Sequence, residues 1–205
     1  NNLTKPIISK KKKEMKYIVC EKPHEFKSKE KPMPEPKEGE VLLKIKRIGV
    51  CGTDIHAYGG TQPYFEYPRV LGHELAAEYI KGNAVGFNPG DKVTLIPYFN
   101  CGECVACRNG LTNCCANIKV FGVHIDGGMA EYITIPEQYL LHSQGLDYDE
   151  LALVEPLAIA AHGVRRAAVE AKDTVLIMGA GPIGIGLIHF AKIAGAKVIV
   201  MDIND

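Results

Sequence analysis

The sequence predicts a mixed fold: a β-barrel-like domain over residues 15–148, followed over residues 149–205 by connecting helices and the start of an α/β unit. Three observations predict it. Short strand-like runs separated by Gly and Pro turns fill the first part of the chain, with no helix-period segment of any length among them. Near Tyr148 the texture changes to helix-forming composition. One strand, a glycine-rich turn, a helix and a second strand close the sequence.

Taken in order, residues 1–14 read as a leader, because Met15 opens the first strand-like stretch at Tyr17–Cys20. The basic run Lys10–Lys13 within it reads as solvated chain, with a polyanion-binding or address segment as the alternative. Val41–Val50 alternates imperfectly between apolar and basic side chains, as a half-buried strand does. Leu75–Lys81 and Lys92–Pro97 are two further strands, joined through the turn Asn88-Pro89-Gly90-Asp91, and Ala130–Ile135 is another. Asp149–Glu170 is helical but holds Pro156 and Gly163, which predict two helices or one kinked helix. Asp173–Met178 is a β-branched run without alternation, the pattern of a strand buried on both faces. A helix to about Ala194 and a second buried strand at Lys197–Asp202 follow.

Composition narrows the function classes. Lys plus Arg and Asp plus Glu both number 24, so a general attraction to nucleic acid or anionic membrane is not implied. The balance hides an asymmetry, since residues 1–47 carry 14 basic and 7 acidic side chains. The most apolar window, Thr174–Phe190, is broken by glycines and a proline, so no membrane span is expected. No secretory signal pattern is present, and seven cysteines fit a disulfide framework poorly. Clustered cysteines in a reducing, cytoplasmic compartment point to metal instead.

The strongest metal signal is Cys101-x2-Cys104-x2-Cys107-x7-Cys115. Four thiolates at this spacing form a closed tetrahedral zinc site, which staples a lobe that has no core of its own. Disulfides and an iron-sulfur cluster are the rival readings, and Cys114 competes with Cys115 for the last position. Cys20 reads as a small apolar strand residue. A second signal is the stretch Cys51–Glu74, where Cys51 and His73 stand 22 residues apart with Glu74 beside the imidazole. Thiolate, imidazole and carboxylate suit a catalytic zinc with an open position, provided the fold brings the two ends together. Glu155 places an acid on an otherwise apolar segment, where metal binding or a partner beside the metal would offset its burial. Thr53 and His56, just after Cys51, are placed to take a proton from a bound alcohol and pass it to solvent. Taken alone, Thr53 is a turn or cap residue and His56 an unremarkable surface imidazole.

The third signal is Gly179-Ala180-Gly181-Pro182-Ile183-Gly184, which follows a strand, opens a helix and precedes Asp202 by eighteen residues. A lone GxGxxG is weak, but this context makes it a dinucleotide fingerprint. Gly179 permits the tight turn, Gly181 lets backbone approach a pyrophosphate at the helix N-terminus, and Gly184 lets helix and strand close together. Asp202 would accept from ribose hydroxyls and repel a 2′-phosphate, which favours NAD over NADP.

With CGTDIH, GHE, the four-cysteine lobe, VEPLA and GAGPIG in this order, the sequence resembles the zinc-dependent alcohol dehydrogenases of the medium-chain dehydrogenase/reductase family. Within that family it is most similar to the polyol and threonine dehydrogenase branch. The resemblance runs from about Met15 to the end and implies a GroES-like domain followed by the beginning of a Rossmann domain. It also implies that Cys51, His73, Glu74 and Glu155 surround a catalytic zinc, that Thr53 and His56 relay protons, and that Cys101, Cys104, Cys107 and Cys115 hold a structural zinc. By the same resemblance, NAD binds at Gly179, Gly181, Pro182, Ile183, Gly184 and Asp202, the substrate is a small alcohol or ketone, and the assembly is a homodimer or homotetramer. Family members carry a longer Rossmann sheet, so the chain is expected to be part of a longer protein. The contrasting reading from another class is a zinc-binding scaffold without catalysis.

Overall fold

The computed structural model describes residues 13–63 and 65–203. β1 (Glu14–Lys22) and β2 (Glu25–Pro32) form an antiparallel hairpin with a register shift between Cys20 and Lys22. Most of the expected leader, with Lys10–Lys12 of its basic run, lies outside the described residues. Its last two positions belong to the hairpin instead, since the Lys13 carbonyl accepts from Met33 N and Glu14 begins β1. The hairpin joins the body through bridges at Tyr17–Ala130 and Cys20–Arg69.

The body is an antiparallel five-stranded sheet in the order β8 (Tyr132–Pro136), β3 (Glu40–Gly49), β4 (Glu74–Lys81), β5 (Lys92–Leu95), β9 (Leu140–His142). Register shifts in the β3–β4 pair, at Leu42/Leu43 and Ile45/Arg47, bend the sheet as bulges do. Val41, Leu43, Leu75, Tyr79, Val93 and Ile135 fill its inner face. Each such side chain removed from water contributes about 1.5–3 kcal/mol. The turn between β4 and β5 closes as its residues predict: Asp91 N donates to Asn88 O, Asn88 N donates to the Asp91 carboxylate, and Gly90 takes φ +99°.

The expectation of an unbroken β domain needs correction. α1 (Gly52–Gly59) interrupts it directly after β3, and a shorter helix, α2 (Val105–Arg108), lies in the cysteine-rich lobe beyond the two-residue strand β6 (Tyr98–Phe99). α1 ends at Gly60 in the left-handed conformation, φ +74°, where glycine has no steric penalty. β7 (Lys119–Val120) pairs with β6.

The helical region divides at Leu153 rather than at Pro156. α3 (Tyr148–Ala152) is capped by Asp147, which accepts from Glu150 N, and packs Leu151 and Ala152 on Ala76 of β4. α4 (Val154–Arg166) holds Pro156 in its first turn, where a missing N–H costs nothing. Gly163 stays inside the unbroken α4; a Cβ there would stand 3.2 Å from Leu187 Cδ2, so its smallness lets the next helix approach. β10 (Thr174–Met178), α5 (Pro182–Ile193) and β11 (Lys197–Met201) make the predicted parallel strand-helix-strand unit. Burial on both strand faces does not hold, because Leu176 is 55% and Met178 75% exposed. α5 packs against the two strands, and among the described residues no second helix layer covers the opposite face. No helix among the described residues is long and apolar enough to cross a membrane.

Candidate metal centres and nucleotide turn

The register of β3 on β4 brings the separated ends of the Cys51–Glu74 stretch together. Gly49, the last residue of β3, pairs with Glu74, the first of β4. Cys51 lies two residues beyond one strand end and His73 one residue before the other, so an antiparallel pair places both at the same edge. Ligand atoms of Cys51, His73 and Glu74 all lie within 4.8 Å of one another. A Cβ at Gly49 would collide with the Glu74 side chain, so glycine there makes room for the carboxylate.

Cys51 is the N-cap residue of α1, and Asp54, three residues on, accepts from the Cys51 backbone N–H at 3.0 Å. Asp54 is buried, also accepts from Gly72 N at 3.3 Å, and faces His73 Nδ1 across 4.0 Å. Hydrogen bonding to His73 holds the Cys51 thiol below its ordinary range. Burial pulls His73 down, but Cys51 and Asp54 oppose it and the net shift is upward. Burial pushes Glu74 up.

Glu155, in the first turn of α4, is buried nearby but does not join the cluster of three ligand atoms. Its Oε1 accepts a short hydrogen bond from the Tyr98 hydroxyl. Burial and then Glu155 push the Tyr98 phenol far above its usual value. Asp54, Glu74 and Glu155 are thus three buried acids, and no lysine or arginine among the described residues pairs with any of them. Three buried acids around one imidazole, whose Nδ1 has no hydrogen-bond partner among the described residues, form a donor set that a divalent cation fits.

Thr53 Oγ1 lies 3.6 Å from Cys51 Sγ, at the N-terminal end of α1. His56 stands one turn along the same helix, exposed, with Nδ1 3.0 Å from Thr61 Oγ1. The two relay candidates therefore share α1, with His56 on its wet side.

In the lobe, Sγ atoms of Cys101, Cys104, Cys107 and Cys115 lie within 4.8 Å of one another, and all described cysteines are free thiols. Cys114 is exposed and outside the group. The backbone amides of Cys107 and Ala116 hold the Cys104 thiol down to about 6, while burial pushes Cys107 up to about 11. Further N–H groups point at sulfur: Cys101 N and Asn117 N both donate to Cys115 Sγ, at 3.3 and 3.4 Å. Four converging sulfurs wrapped in N–H donors fit a thiolate-bound metal. Cys20 is fully buried against Ala57 and Leu71, as its apolar reading expects.

At the end of β10, Gly179 takes φ +99° and its N–H donates to Met201 O. Gly181 caps α5 with open space around it, Pro182 occupies the first turn with Ile183 after it, and a Cβ at Gly184 would strike the Gly179 carbonyl. Asp202 reaches back to the turn, its carboxylate accepting from Ala180 N at 2.6 Å.

Asp54, Tyr98 and Gly49 are the site residues that motif reading missed. The Cys-x-x-Asp spacing at the start of α1 is a capping signal that could have found Asp54. Tyr98 meets Glu155 across 57 residues, and nothing in the sequence points to that pair.

Comparison with known proteins adds to this geometry. Residues 37–145 match the alcohol dehydrogenase GroES-like domain family. L-galactonate-5-dehydrogenase of Escherichia coli K12 is 48% identical over 190 residues, 92% of this chain and 56% of the relative. An alcohol dehydrogenase of Escherichia coli CFT073, solved with NADH, superposes with TM-score 0.84 at 36% identity, covering 91% of this chain and 56% of that one. A zinc-binding dehydrogenase of Sinorhizobium meliloti 1021, solved with NADP, does so with TM-score 0.84 at 34% identity, over 92% and 56% of the two chains. The chain thus spans little more than half the length of these relatives.

Proposed function

Since the chain belongs to the zinc-type alcohol dehydrogenases with a GroES-like domain, we propose that the protein carrying it oxidises a secondary alcohol of a polyol or sugar acid with NAD, and reduces the matching ketone in reverse. The observation behind this reading is the convergence of Cys51, His73 and Glu74 beside the hydroxyl of Thr53. A zinc ion held there supplies Lewis acidity toward an alcohol oxygen, and NAD supplies the hydride acceptor. The Cys51 thiolate, the His73 imidazole and one carboxylate would hold the ion, Glu74 being the one that lies with them and Glu155 the alternative ligand or the partner beside the metal. Asp54 orients Cys51 and His73. Thr53 takes the alcohol proton, and exposed His56 passes it to water. The four-cysteine lobe holds a second zinc and does no chemistry.

The glycine-rich turn and the N-terminus of α5 receive the pyrophosphate, and Asp202 accepts from the ribose, which selects NAD. An aldonate such as L-galactonate is the favoured substrate, because the relative of that name shares 48% of aligned residues. Sorbitol-type polyols and threonine are the alternatives. A homodimer or homotetramer in the reducing cytoplasm completes the proposal.

The test is turnover by the protein that carries this chain, screened against aldonates, polyols and threonine with NAD and NADP. Activity with an aldonate and NAD is expected, together with its loss in Cys51→Ser while the lobe keeps its metal. A Cys51→Ser protein with full activity and unchanged zinc content sinks the mechanism, and turnover of threonine alone removes the sugar-acid assignment.

A further inference from the structure

Tyr98 has no part in the proton path or the ligand set, yet its hydroxyl is bonded to a buried acid beside that set. Its backbone is well fixed. β6 pairs with β7 through Tyr98 and Val120, Phe99 packs its ring on Phe121 and Tyr139, and Asn100 N donates to Tyr139 Oη at 2.9 Å. Glu155 is fixed from the other side by α4, whose first turn also holds buried Pro156. The bond therefore joins two separately anchored elements and sets where the carboxylate rests. It rests outside the cluster of Cys51, His73 and Glu74 ligand atoms.

We propose that Tyr98 is a positioning residue that holds Glu155 off the catalytic metal, so that Glu74 completes the protein ligands and one coordination position stays free for substrate. The proposal rests on the catalytic-metal reading above and adds a restraint to it. A phenol O–H donating to a carboxylate makes a strong, directional bond, and it ties Glu155 Oε1 to the β6 side, away from the three converging ligand atoms. Without that donor, Glu155 becomes a buried acid with no hydrogen-bond donor, and coordination is its best remaining way to offset desolvation. Glu155 then closes the position an alcohol needs. Tyr98 thereby keeps the site open by binding a competitor for it.

Cobalt(II) in place of zinc makes the coordination visible, because zinc itself has a filled d shell. Difference spectra against Cys51→Ser remove the contribution of the four-cysteine lobe. Tyr98→Phe is expected to shift the visible cobalt bands as a second carboxylate takes the open position. Glu155→Gln in the parent protein should leave those bands unchanged, whereas Glu155→Gln added to Tyr98→Phe should restore the parent spectrum. A spectrum unmoved by Tyr98→Phe overturns the proposal. So does an altered spectrum that Glu155→Gln does not rescue, or a change on Glu155→Gln alone, which reads the carboxylate as a resident ligand even if Tyr98→Phe fails to fold. Absence of any Cys51-dependent band in the parent protein overturns the catalytic-metal reading itself, and this proposal with it.

Discussion

Asp54 is the residue on which the geometry of the Cys51–His73 edge turns. It accepts from two backbone amides, one at Cys51 and one at Gly72, and faces the His73 ring, so it fixes both halves of a site whose parts come from different strands. Asp54→Ala is predicted to lower metal affinity at the Cys51 site by roughly 10–100-fold, the usual loss for a partner behind a ligand. Chelator competition measures this, and an unchanged affinity would refute it. Asp202 carries a second prediction. Asp202→Asn keeps an oxygen for the Ala180 hydrogen bond but removes the charge, so the preference for NAD over NADP should fall about fivefold, the worth of a charge contact of about 1 kcal/mol in water. Steady-state kcat/KM with both cofactors checks it, and an unchanged ratio assigns selectivity elsewhere. At this scale the sequence was legible wherever chemistry is written in residue type: the thiols, His73, and the glycines of the turn. Asp54 and Tyr98 escaped because an acid or a phenol is common on any surface, and only the fold brings Asp54 against His73 and Tyr98 against Glu155.

Among the elements, the cysteine-rich lobe is the one with least packing of its own. Neither α2 nor the turn at Thr112–Cys114 buries a side chain, and Cys115 is the buried member of the group. With the proposed zinc in the lobe, metal binding would be folding for this segment, and chelation should expose it to protease while the five-stranded sheet keeps its circular dichroism. Loading has a proton signature. Ligand thiols bind as thiolates, so every thiol still protonated gives up its proton and affinity falls as pH falls. Cys104, held down to about 6, is already ionised at neutral pH, whereas Cys107, pushed up to about 11, is not. Zinc uptake by the lobe at neutral pH should therefore release fewer than four protons. Calorimetry in buffers of different ionisation enthalpy counts them, and a value of four contradicts the assignment. Legibility here followed periodicity. β3, β4 and β5 were readable because apolar side chains recur along them. β2, EFKSKEKP, was not, since it is charged and largely exposed and pairs with β1 through backbone bonds that have no signature in side-chain type. α1 was hidden because eight residues hold barely two turns, too few for a helical period to show.

Over the whole molecule, an even balance of charge meets an uncovered apolar face. Leu176, Met178, Ile199 and Met201 stand exposed on the two-stranded parallel sheet, and the formal net charge is zero. Apolar patches of this kind and low net charge both favour association. The 205-residue chain by itself should bind a hydrophobic dye and elute at a size that grows with concentration; a monomer at all concentrations without dye binding would count against this. The two-part organisation was visible as a shift in texture near Tyr148, but the packing between the parts was not, because contacts between helices leave only small residues as a trace. Gly186 is such a trace: a Cβ there would stand 2.8 Å from Ala160 Cβ, so α4 and α5 nearly touch. α4 carries Glu155 in its first turn and five residues later reaches that contact. One unbroken helix thus ties the edge where Cys51, His73 and Glu74 meet to the helix that the glycine-rich turn opens, so the spacing between the two is set by the rigidity of α4 rather than by a loop.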